Sequence, residues 1–116
     1  MRLLGKKEIE ACAVRKTEDV AVPEWGDGVG VRVRSITVAE HKDFTSRLKE
    51  GDDDATIAAS LMVVACVDET GSPLFTEADA AMLLAQDASA VKRIGRAAMR
   101  LNGLGKMAVE DARKNS

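Results

Sequence analysis

A chain of 116 residues that is 46% hydrophobic but only 3% aromatic can bury one core, and must build it from Ala, Val, Leu, Ile and Met, with Trp25, Phe44 and Phe75 as isolated large fillers. The formal net charge of −2 and a pI near 5.4 exclude broad attraction to nucleic acid or an anionic membrane, which needs an excess of Lys and Arg. Cys12 and Cys66 lie in no CxxC or Cys/His spacing, which argues against a zinc site or a redox motif; both read as small apolar fillers of an intracellular protein.

The N-terminus MRLLGKKEIE offers only Leu3 and Leu4 before charge begins, too little for a secretory segment. No apolar run approaches the roughly 18 residues that span a bilayer. A protein that stays in the cytoplasm where it is made is the expectation. Residues 6–13, KKEIEACA, predict a two-turn helix that needs Ile9, Ala11 and Cys12 docked on the domain to persist. Asp19 to Val22 and Val29 to Val33 then place Val20, Val22, Val29, Val31 and Val33 at period two, with Arg32 and Arg34 on the opposite face. Pro23 to Gly28 supply the turn, so the pair reads as a two-stranded hairpin with Trp25 as its apolar lid and its valine face on the helices.

Thr37-Val38-Ala39-Glu40 has the form of a capping box and starts a helix at about Val38, with His41, Phe44 and Leu48 on one stripe. Gly51 ends it. Asp52, Asp53 and Asp54 introduce the next helix, where negative charge suits the N-terminus. From Ile57 to Val67 the residues IAASLMVVACV are polar only at Ser60, which predicts a helix apolar all round and central to the core. After a turn over 68–73, Leu74 and Phe75 return the chain to the core, and Thr76-Glu77-Ala78-Asp79 opens another helix. Asp87 caps the last one, which runs to about Asn102 and stops at Gly103 and Leu104 in a Schellman arrangement. The sum is an α+β, mainly α, domain over 1–104, with a two-stranded hairpin at about 14–34 packed on four or five helices. Residues 105–116 form a weakly ordered or helical tail.

Catalytic apparatus is missing from this pattern. As a calcium loop, Asp68 to Asp79 would need Gly at position six and Glu at position twelve, where it has Pro73 and Asp79. The acidic triplet is a cap before it is a magnesium site. His41 and Cys66 fall on a helix stripe and inside the most apolar segment, where a thiolate is disfavoured. Ser60 stands in no GxSxG, and the GDGVG of Gly26 to Gly30 leads into a strand and not into a helix. No enzyme activity, cofactor or metal is expected. On the last helix Arg93, Arg96 and Arg100 share one face beside Lys92, while Val91, Ile94, Ala98 and Leu101 point the other way. That stripe is either a solvated face near a helix C-terminus or a contact for an acidic partner or phosphate.

The segment LMVVACVDETGSPLFTEADAAMLLAQDASAVKRIGRAAMRLNGL, Leu61 to Leu104, together with the VPEWG turn at Val22 to Gly26, resembles the tail assembly chaperones of long-tailed bacteriophages. Its most specific parts besides that turn are GSPLFTEAD, Gly71 to Asp79, and LNGL, Leu101 to Leu104. The resemblance implies a helical protein of the infected bacterial cytoplasm, absent from the mature virion. It implies binding to the long tape-measure protein, shielding of that protein's helices, and help to tail-tube subunits assembling around it. It also implies that the RKNS end corresponds to the short form of a frameshifted pair, and that weak self-association accompanies repeated binding along one extended partner. Leu83, Leu84 and Met107 are candidate apolar contacts, unless the leucines pack inward, and Arg93, Arg96 and Arg100 are candidate charge-steering contacts. The competing readings are a small virion adaptor and, against the low pI, a nucleic-acid-binding regulator using the arginine stripe.

Overall fold

Local capping chemistry sets most of the boundaries. In a computed structural model that describes residues 1–105, the chain forms α1 (Lys6–Ala11), β1 (Thr17–Ala21), β2 (Gly30–Arg34), α2 (Val38–Arg47), α3 (Asp54–Ala65), β3 (Cys66–Val67), α4 (Ala80–Leu84) and α5 (Ala88–Leu101). The tail proposed for 105–116 lies, beyond Gly105, outside the described residues. The Thr37 hydroxyl accepts from the Glu40 amide at 3.1 Å and the Glu40 carboxylate accepts from the Thr37 amide at 2.8 Å, so the capping box starts α2. Asp53 caps α3 by accepting from Thr56 N–H at 2.8 Å, and Asp87 caps α5 by accepting from Ala90 N–H at 3.0 Å. At the end of α5, Gly103 takes φ +64°. Gly103 N–H then reaches Arg100 O at 3.2 Å and Leu104 N–H reaches Met99 O at 2.9 Å, the paired bonds of a Schellman stop.

The architecture is α+β and mainly α, with one addition to the expected hairpin. The helix foreseen over Ile57 to Val67 ends at Ala65, and Cys66 and Val67 turn extended and pair antiparallel with Val33 and Arg32. The sheet is therefore three-stranded in the order β1-β2-β3. A fully apolar run carries no period that separates helix from buried strand, which is why the switch was not visible in the residues.

The core lies between α3, α5 and the inner face of the sheet. α3 buries nearly its whole circumference, from Ile57 to Ala65 with Ser60 half-buried, as an all-apolar helix must. α5 buries Ala90, Val91, Ile94, Gly95, Ala97 and Ala98, a face of small residues that lets it lie close on α3. Val20, Val22 and Val33 of the hairpin region are buried and Phe44 and Leu48 close the α2 side. Val29, by contrast, is 45% exposed and Trp25 is 37% exposed on a single 3-10 turn, Pro23–Trp25. Val22, not Trp25, seals that end of the core. α1 persists without docking: it buries no residue, and Cys12 is exposed and not a core filler.

Polar ties lock the sheet to the helices and to the turn over 68–73. Glu40 accepts from Arg15 and Arg34, each at 2.9 Å. Burial alone would raise its carboxyl, but the Thr37 amide and the two guanidinium groups hold it below the usual range. Asn102 accepts from Ile36 N–H at 2.7 Å and donates to Arg34 O at 3.3 Å, joining the end of α5 to the segment after β2. Arg34 also donates to the Gly71 carbonyl at 3.2 Å. Among the described residues no helix is long and apolar enough to cross a membrane.

Candidate functional site

The arginine stripe of α5 divides into structural and free members. Arg93 donates both terminal nitrogens to Glu24, at 2.6 and 2.7 Å, a fork-to-fork pair that ties α5 to the 3-10 turn between β1 and β2. Arg100 donates to Glu18 of β1 at 2.9 Å. Arg96 is exposed and makes no ion pair among the described residues. Two of the three candidate charge contacts are thus occupied within the chain, and Arg96 alone faces solvent unpaired.

The leucine pair divides in the same way. Leu83 is 1% exposed and belongs to the core, so it offers nothing to a partner without opening the domain. Leu84, its neighbour on α4, is 56% exposed, and Met82 on the same short helix is 43% exposed. Met107 lies outside the described residues. A five-residue helix shows no repeat from which the inward and outward leucine could be told apart in advance.

The Glu24 carboxyl is pulled down to about 2 by the hydrogen bonds from Arg93. Asp19 is held low by Arg32, and Asp68 by Thr70 and the surrounding turn. Each of these groups binds a proton more weakly in the folded chain than in the unfolded one. Their contribution is therefore complete above about pH 4.5 and is lost as pH falls through the folded values. The thermal midpoint is expected to drop between pH 4.5 and 2, and Glu24→Gln should flatten that acid limb while lowering the midpoint at neutral pH; a pH series by circular dichroism measures both.

Cys66, Asp52, Asp53 and His41 sit in structural settings. Burial pushes the Cys66 thiol up to about 12, far from a reactive thiolate. Among the described residues no three His, Cys, Asp or Glu side chains gather where they could hold a metal ion. Asp53 is the cap of α3, and Asp52 accepts from Lys49 N–H at 2.8 Å. His41 stands edge-on to the Phe44 ring, with centroids 6.4 Å apart.

The candidate contacts left free by this small α+β domain are thus Leu84 and Met82 on α4 and Arg96 on α5. The sequence profile of the phage tail assembly chaperone family matches residues 8–115, and the chain belongs to that family. The solved structure of the bacteriophage HK97 tail assembly chaperone is similar in fold, with a TM-score of 0.58 and 15% sequence identity over 84% of this chain and 98% of that one. No curated protein sequence matches.

Proposed function

We propose that this chain binds apolar stripes on the helices of a tape-measure protein, keeps them soluble in the cytoplasm of the infected bacterium, and yields them to tail-tube subunits before the virion is complete. Membership of the tail assembly chaperone family over residues 8–115 carries the reading. The exposed Leu84 on α4, with Met82 on the opposite flank of that helix, and the unpaired Arg96 on α5 supply the two kinds of contact that an amphipathic helix takes, an apolar side chain and a charge.

Co-expression with the product of the neighbouring downstream gene, which this reading expects to be a very long, helix-rich protein, tests this. The long protein should move to the soluble fraction and co-purify through a tag on this chain. Leu84→Asp and Arg96→Glu should each reduce its recovery about tenfold, the effect of about 1.4 kcal/mol in binding, with an unchanged thermal midpoint. Arg93→Glu should instead lower the midpoint, because it breaks the Glu24 pair. A long partner that stays insoluble, with this chain eluting alone and present in purified virions, would replace the chaperone reading with the adaptor.

A further inference from the structure

The first eleven residues project an apolar surface that nothing among the described residues covers. Leu3 is 82% exposed, Leu4 44% and Ile9 60%. Leu4 and Ile9 flank the Gly5 cap of α1 at the N′ and N4 positions, where a hydrophobic staple forms. Across those eleven residues Arg2, Lys6 and Lys7 outnumber the two carboxylates, Glu8 and Glu10, and Arg2 is already paired with Glu8. The root of this arm is fixed, since Arg15 is bonded to Glu40 and the Lys16 amide donates to Ser35 Oγ at 3.1 Å.

Elsewhere on the domain, the outer face of the sheet holds a groove of about 970 Å³, at the upper end of what ordinary binding pockets enclose and roomy enough for several aliphatic side chains. Ala21 and Gly30, paired across β1 and β2, leave its floor nearly bare, and Val67 and Leu74 form an apolar wall. Its polar rim is acidic: Asp19, Asp68 and Glu69 stand against Arg32 alone. β1, beside it, is an edge strand.

We propose that this groove receives the N-terminal arm of a second copy of the chain, with Leu3 and Leu4 over Ala21 and Gly30 and with Lys6 and Lys7 toward Asp68 and Glu69. The two surfaces match in both respects that decide docking: each leaves apolar area uncovered, and their net charges are opposite. Arm and groove are different patches of one molecule, so the contact is heterologous and each bound copy still offers a free arm at one end and a free groove at the other. Association grows stepwise and does not stop at a dimer unless a ring closes.

Sedimentation equilibrium on the full chain tests the assignment without any partner protein, so it can fail while the chaperone reading stands. The average mass should rise with concentration from the 12.4 kDa of one chain to more than twice that value, and should fall with added salt as the charge match is screened. Leu3→Asp with Leu4→Asp removes the arm's anchors, and Ala21→Arg fills and recharges the groove. All three positions are exposed. Each variant alone should weaken association about tenfold or more at an unchanged thermal midpoint, and Glu69→Lys should do the same if Ala21→Arg fails to fold. Mixed, the first variant brings an intact groove and the second an intact arm, so the pair should form complexes of two chains and no larger. A full chain that remains monomeric up to its solubility limit overturns the proposal. So does association that survives loss of the leucines, which would give the groove to another segment, and so does a mixture that forms no complex.

Discussion

Gly95→Ala is expected to destabilise the domain by about 2 kcal/mol, although the same change in an exposed helix interior would stabilise it by about 1 kcal/mol. A Cβ built at Gly95 lies 2.4 Å from the Ala58 Cβ and 2.9 Å from the Ala58 Cα. The obstruction includes backbone, so no side-chain rotation relieves it, and α3 and α5 must part. Overpacking of a tight core costs up to about 3 kcal/mol, which exceeds the propensity gain and fixes the sign. Ala58→Gly removes the nearer obstacle but leaves the Cα. In the Gly95→Ala background it should therefore restore stability only in part, and the two changes should couple in a double-mutant cycle by urea unfolding. A gain in stability from Gly95→Ala alone would mean that α3 and α5 do not approach this closely.

What the residues disclosed and what they hid follows the range of each interaction. The caps at Thr37, Asp53 and Asp87 and the stop at Gly103 are bonds between residues three to five apart, so a short window of sequence contains both partners. The pairs Arg93 with Glu24 and Arg100 with Glu18 join residues 69 and 82 positions apart, and no window contains both. The stripe on α5 was therefore legible as a stripe, while the division of labour within it was not. Gly95 is of the same kind: its need for a missing side chain arises at Ala58, on another helix. Leu83 and Leu84 differ only in which way one short helix faces. The third strand was concealed for a different reason, because Cys66 and Val67 are buried and apolar on either account of their backbone. Family membership could be reached from the residues, since the turn and cap segments that carry it are local. The partner surface is a property of the assembled faces.

Phe44→Ala should have the largest effect of any single truncation considered, about 3–5 kcal/mol, as for other buried aromatic residues. Phe44 is 1% exposed and is one of the largest fully buried side chains. With so few aromatic residues in the chain, the surrounding aliphatic side chains are too short to fill the space it would vacate. At about 4 °C per kcal/mol for a domain of this size, the thermal midpoint should fall by roughly 12–20 °C, whereas Phe44→Leu should lose only a few degrees. The consequence reaches past the core, because α2 is held to the domain chiefly by Phe44 and Leu48 and itself carries Glu40. Loosening α2 breaks the Glu40 pairs of Arg15 and Arg34 together. Amide hydrogen exchange in Phe44→Ala should then quicken first at the amides of Thr37 and Glu40 and around Arg15, while the α3 and α5 amides remain the slowest. Equal loss of protection along α3 would show instead that α2 and the α3 core unfold as one unit.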